Sequence, residues 1–180
     1  PEQQVFLREN LKLRLLNASH QAIAYFGGPL GYVLVDEALG DDRIRTYLER
    51  YMADEAAPTL GELPGIDLEG YMATLIDRFS NPRMRDTLVR LATDGSNRMP
   101  TFTLPAIREN LAAGRPVRLG AAMVAAWAHY WALIARGEIV PPEVPDDVHA
   151  AEMATAAADP RPEAFVEIEV LFGDLAQHDT

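Results

Sequence analysis

From Leu119 to Ala135 the sequence is almost uninterruptedly apolar, carries Trp127, Tyr130 and Trp131, and is closed by Gly137. Such a run must be buried, yet it is shorter than the roughly 20 apolar residues that a bilayer requires and is flanked by charge. It is therefore expected to be the central helix of a protein core. No other stretch approaches membrane-spanning length, and the N-terminus lacks a charged-then-apolar signal.

The remaining segments repeat apolar residues at helical spacing, and no stretch sustains the period-two alternation that would anchor a sheet. The expected fold is all-α and multi-helical, with 1–180 forming one domain. A first helix runs from about Val5 to Phe26 and ends at Gly27-Gly28-Pro29, where glycines able to take left-handed dihedrals precede a residue that cannot continue a helix. A short segment, Tyr32 to Ala38, follows. Asp41 or Asp42 caps a helix reaching Met52 and ending before Pro58; Asp67 caps Leu68 to Phe79. Ser80-Asn81-Pro82 breaks that helix and starts another from Arg83 to Ala92, with proline as a favourable first residue. Asp94-Gly95-Ser96-Asn97 reads as a turn, Ala106 to Ala113 as a helix closed by Gly114, and Pro141, Pro142 and Pro145 as a linker. Asp146 to Ala158 and Glu163 to Phe172 complete the helices. A chain that opens on Pro1 almost inside a helix, and stops soon after an apolar helical pattern, reads as a fragment.

Composition narrows function. The 180 residues are 48% hydrophobic and 24% charged, enough for a substantial core, and the net charge of -11 disfavours nucleic acid and anionic lipid, both of which want clustered lysine and arginine. With neither nucleic acid nor membrane as partner, a soluble, cytoplasmic protein handling a small molecule is expected. Cysteine is absent and the four histidines are scattered, which removes disulfides, thiolate nucleophiles and thiolate metal sites.

Within the first helix, Lys12, Asn17 and His20 place an amine, an amide and an imidazole beside the apolar stripe Leu11, Leu15 and Ile23. At about 100° per residue, Asn17 lies roughly 140° and His20 roughly 80° around the axis from Lys12, so one broad face can hold all three. Helical side chains lean toward the N-terminus, which tilts Asn17 and His20 back toward Lys12. An amine serves an enzyme chiefly when neutral, as a base or carbonyl nucleophile, and shifting a lysine by about 3 pKa units takes roughly 4 kcal/mol of burial or nearby positive charge. Arg8 lies one turn earlier on the same face. An amide and an imidazole can hold an oxygen on which negative charge develops. On spacing alone, however, such residues are more often surface and capping groups than a site.

The surrounding residues sharpen this. Lys12-Leu13-Arg14-Leu15-Leu16-Asn17-Ala18-Ser19-His20, followed by Ala24-Tyr25-Phe26-Gly27 and Gly31-Tyr32, closely resembles the catalytic segment of the polyol-specific long-chain dehydrogenases, the mannitol 2-dehydrogenase and fructuronate reductase group. The resemblance continues through Pro58-Thr59-Leu60, Asp67-Leu68, Tyr71, Arg78-Phe79-Ser80-Asn81-Pro82, Asp94-Gly95-Ser96 and Ala125-Ala126-Trp127. It implies a two-domain enzyme in which an N-terminal Rossmann domain binds NAD or NADP and a helical C-terminal domain holds a polyol or sugar-acid substrate. This chain has no Gly-x-Gly-x-x-Gly run and resembles the second domain alone.

By that resemblance Lys12 would be the general base of alcohol oxidation, and Asn17 and His20 would orient and polarise the reacting oxygen, with no zinc or other metal required. Arg90 and Arg98 fall on the family's substrate-holding positions, although the second is usually lysine. Arginine can clasp a carboxylate at two points, so a hexuronate such as mannonate or fructuronate competes with mannitol or fructose as substrate. The rival from another class is a non-catalytic helical binding module on the same scaffold. Trp127, His129, Tyr130 and Trp131 fit a core better than a sugar-stacking platform, and Asp36, Glu37, Asp41 and Asp42 match no calcium loop.

Overall fold

A computed structural model describes residues 2–140 and 142–177. Among them the architecture is all-α, as expected, and the one extended pairing is an isolated antiparallel bridge between Leu34 and Thr87. Pro1, Pro141 and residues 178–180, read above as chain start, linker and chain end, lie outside the described residues.

The long first helix is present but not uniform. Glu2–Leu11 (α1) and Ala18–Gly27 (α2) are α-helical, and between them Lys12–Asn17 is wound as a π-helix. The helix does not stop at a left-handed glycine pair. Gly27 and Gly28 are right-handed, at φ -73° and -56°, and the reversal falls at Gly31, at φ 86°. What Gly27 supplies is closeness, since a Cβ there would stand 2.7 Å from Leu88 Cδ1.

Val35–Leu39 (α3) and Asp42–Arg50 (α4) follow, with Asp41 capping α4 by accepting from the Arg43 N–H at 2.9 Å. A second π-helical turn, Tyr51–Ala56, extends α4 toward Pro58. Leu68–Phe79 (α5) has the expected bounds, its cap Asp67 accepting from the Gly70 N–H at 3.0 Å. The next element does not. The Arg83–Ala92 helix shrinks to Leu88–Ala92 (α6), because Val35 N–H donates to Asp86 C=O at 3.0 Å and Leu88 N–H to Val33 C=O at 2.9 Å. Long-range backbone pairing takes the groups that a helix from Pro82 would have used, and Arg85 turns left-handed at φ 47°.

Gly95–Phe102 (α7) starts inside the expected turn, which contracts to Asp94 at φ 60° and is pinned by Asp94 N–H to Asp146 C=O at 2.9 Å and Ser96 N–H to Asp147 Oδ2 at 2.8 Å. Leu104–Ala112 (α8) and Arg118–Ala135 (α9) follow. The last two expected helices are shorter than their patterns. Ala150–Ala158 (α10) starts four residues late, and Glu163 to Phe172 divides into a 3-10 turn, Pro162–Phe165, and Glu169–Phe172 (α11).

The apolar run is the core helix it was expected to be. α9 packs on α2, α10 and α8. Trp127 lies edge-on to Phe165 at 5.1 Å, and both tryptophans are fully buried. Its N-terminus is held by a buried carboxylate: Glu55, on the second π turn, accepts from the Leu119 and Gly120 N–H groups at 2.8 and 2.7 Å. Those donors have no partner within the helix. Replacing Glu55 by alanine should lower stability by about 2–4 kcal/mol, because two buried N–H groups lose their acceptor. Urea unfolding measures it, with Glu62→Ala on an exposed loop expected to change stability by less than about 0.5 kcal/mol.

Candidate functional site

The π turn changes how the first three candidates relate. Ala18 N–H bonds to Leu13 C=O, five residues back rather than four. In this register residues five apart meet across one turn, so Lys12 and Asn17 stand nearer to one line along the helix than the roughly 140° separation of an unbroken α-helix. The backbone places Lys12 at the start of the turn, Asn17 at its end, and His20 in the first turn of α2. The neighbouring stripe is buried as expected at Leu11, Leu15 and Ile23, but Lys12 itself is exposed, with Asn17 and His20 half-buried.

His20 faces a cavity of about 180 Å³ whose wall includes Arg78, Phe79, Asn81, Asp86 and Arg90. The space is smaller than the roughly 300–1,000 Å³ of a complete small-molecule site. The imidazole packs against Phe79 with ring centroids 4.9 Å apart. Burial pulls its pKa down to about 4; Arg90, Arg78 and Arg98 act in the same direction, and Asp86 opposes them. His20 is therefore neutral near pH 7, with one ring N–H to donate.

Arg90, on α6, lies four residues beyond Asp86 and grips it with Nε at 2.5 Å and with Nη2. That bond, more than anything else, holds the Asp86 carboxyl below its usual range. Three guanidinium donors of Arg90 are left for other partners. Arg98 reaches back from α7 to the Leu91 carbonyl at 3.2 Å and the Arg90 carbonyl at 3.5 Å, so its cation sits at the C-terminus of α6, where the helix dipole favours it. The expected residues thus divide. His20 and Arg90 share one cavity and Arg98 stands close enough to act on His20, whereas Lys12 and Asn17 lie on the adjoining helical segment, outside the residues lining that cavity.

Arg78 and Asp86 were not singled out from sequence. The four-residue interval from Asp86 to Arg90 was the available signal. The bend at Arg85 is what turns Asp86 toward His20.

This assembly is a helical domain that gathers an imidazole and two arginines, His20, Arg78 and Arg90, at one cavity, with Lys12 and Asn17 on the adjoining segment outside it. Residues 6–180 match the model of the mannitol dehydrogenase C-terminal domain, and the chain belongs to that family. It is 37% identical over 171 residues to the mannitol 2-dehydrogenase of Phaeosphaeria nodorum, covering 95% of this chain and 30% of that protein. The Aspergillus fumigatus mannitol 2-dehydrogenase is likewise 37% identical over 173 residues, covering 95% and 34%. Among solved structures, the Pseudomonas fluorescens mannitol 2-dehydrogenase ternary complex with NAD and D-mannitol superposes with a TM-score of 0.81 at 36% identity, over 93% of this chain and 34% of that one. The chain spans about a third of the length of these relatives.

The depressed His20 pKa makes a stability prediction. As pH falls through about 6.5 the unfolded chain takes up a proton on this histidine, whereas the folded chain resists until about 4. Its contribution, at most about 3 kcal/mol, is complete above pH 6.5 and is lost as pH falls toward 4. Thermal unfolding at pH 7.5 and 4.5 should show a smaller acid loss for His20→Gln than for the wild type. Equal losses would exclude His20 as a source of the acid sensitivity.

Proposed function

We propose that this chain is the substrate-holding and catalytic domain of a zinc-independent, NAD- or NADP-linked polyol dehydrogenase that interconverts a secondary alcohol and a ketose of the mannitol and fructose type. The observation that carries this reading is the π turn, which brings Lys12 and Asn17 toward one line beside His20 in a chain belonging to the mannitol dehydrogenase C-terminal domain family. Lys12, acting as a neutral amine, takes the hydroxyl proton as the carbinol carbon is oxidised, and returns a proton to oxygen in the reverse direction. Asn17 and neutral His20 hold the reacting oxygen through their N–H groups, with no net charge brought to the site. Arg90 and Arg98 hold the hydroxyls farther along the chain. The nicotinamide supplies the acceptor for the departing hydride.

The incompleteness of the site agrees with a second domain. Lys12 is exposed here, and a neutral amine calls for a dry setting. An N-terminal Rossmann domain closing over the π turn would supply both that burial and the missing wall of the cavity. A sugar acid is the second reading for substrate, favoured by Arg78, Arg90 and Arg98 acting together on His20, three cations beside the two carboxylates of the cavity wall, Asp36 and Asp86.

Joined to its native N-terminal portion, the enzyme should reduce NAD or NADP with mannitol, arabinitol or mannonate. Absence of turnover with all three would reject the function. Lys12→Ala should then lower kcat by about 10²–10⁴-fold, with partial recovery on adding a small primary amine. If the acid reading holds, Arg98→Lys should raise KM for mannonate more than for mannitol, because a lysine loses the two-point grip on a carboxylate.

A further inference from the structure

Arg14 lies in the middle of the π turn and is almost completely buried, with 7% of its surface exposed. Its guanidinium is spent on two fixed points far away in sequence. Nη1 donates to the Thr59 carbonyl at 2.6 Å and to Glu109 Oε2 at 2.7 Å, and Nη2 donates to Glu109 Oε1 at 2.5 Å. Thr59 ends the short 3-10 turn that follows the second π turn, and Glu109 belongs to α8, so the bidentate fork ties three separate segments together.

The π register gives this tie a purpose. A π turn is an uncommon winding that a helix readily exchanges for the α form unless something holds it. Relaxing it would move one residue through the ladder, turning α1 and Lys12 by about 100° about the axis and shifting them about 1.5 Å relative to α2. Asn17 and His20 would stay with α2, which is buried on nearly every side. Lys12 alone would leave the line. Arg14, gripped by groups outside the helix, marks the angle at which the turn is wound.

We propose that Arg14, through Glu109 and the Thr59 carbonyl, is the positioning residue that keeps Lys12 in register with Asn17 and His20. The proposal rests on the dehydrogenase reading of those three residues. Arg14 touches no substrate in this scheme and acts only by holding the π turn. Glu109 is the useful handle, because its carboxylate is about half exposed and Glu109→Gln removes the ion pair without opening a cavity.

The test uses the full two-domain enzyme with D-mannitol and NAD, comparing Glu109→Gln, Arg14→Lys, Lys12→Ala and the double variant Lys12→Ala/Glu109→Gln. Glu109→Gln should lower kcat about 5–20-fold and leave KM for mannitol within about 2-fold, since a small misplacement of the base affects the chemical step more than binding. NADH affinity, measured by fluorescence, should not change. In the Lys12→Ala background Glu109→Gln should have no further effect on kcat, the signature of a residue acting through Lys12. Arg14→Lys should lose activity like Glu109→Gln, because an amine cannot form the fork; if that variant fails to fold, Glu109→Gln carries the test.

An unchanged kcat in Glu109→Gln, or the same fold-loss with and without Lys12, overturns the positioning role. If Lys12→Ala itself turns over at the wild-type rate, the dehydrogenase reading of Lys12 falls and this proposal with it. A large Lys12→Ala loss beside an unaffected Glu109→Gln rejects the positioning role alone.

Discussion

Helix α2 packed against α9 is the contact on which the rest of the molecule depends. Nearly every position of α2 is buried, with Ala18, Ala22 and Ala24 small enough for neighbouring backbones to approach and Gly27 leaving no room for a Cβ beside Leu88. Tyr25 closes the contact, its ring 6.1 Å from Trp127 and 5.7 Å from Tyr130. A helix enclosed on this scale cannot rotate without opening cavities that would cost several kcal/mol. His20 is one of two α2 side chains left half-exposed, so the packing of its neighbours fixes the direction in which the imidazole faces.

The two π turns adapt other elements to that fixed helix. Each carries a buried charged residue bonded to a distant segment, Arg14 to Glu109 and Thr59, and Glu55 to the first N–H groups of α9. An ion pair such as Arg14–Glu109 adds little net stability, because desolvation offsets most of the attraction, but its fixed geometry favours one register.

Charge shows a similar separation of local from global. The chain is acidic, at -11, yet Arg78, Arg90 and Arg98 all act on His20, opposed by Asp86. These arginines come from α5, α6 and α7, and long-range backbone pairing around the Leu34–Thr87 bridge and the left-handed Arg85 helps bring the intervening chain into place. The same bend denies Arg83 to Asp86 a helix. A spacing that favoured a regular i,i+4 surface pair instead built one wall of the candidate site.

Periodicity was sufficient for the all-α class, for α9 as the core helix, for Asp67 as a cap and for a cap at Asp41 or Asp42, of which the fold uses Asp41; helical spacing put Lys12, Asn17 and His20 on one helix, whereas Arg90 and Arg98 came from the family resemblance alone. The helices and caps follow from local rules, since a helix buries the stripe that its spacing creates and a carboxylate caps the nearest free N–H groups. Hydrogen-bond register and long-range backbone pairing do not. A π turn differs from an α turn by one residue in its ladder and leaves no compositional trace over six residues, and the pairing of Val33 with Leu88 joins positions far apart in the chain. Tertiary packing therefore decided which way Lys12 faces, which arginines surround His20, and where the Arg83–Ala92 helix gives way to a bend.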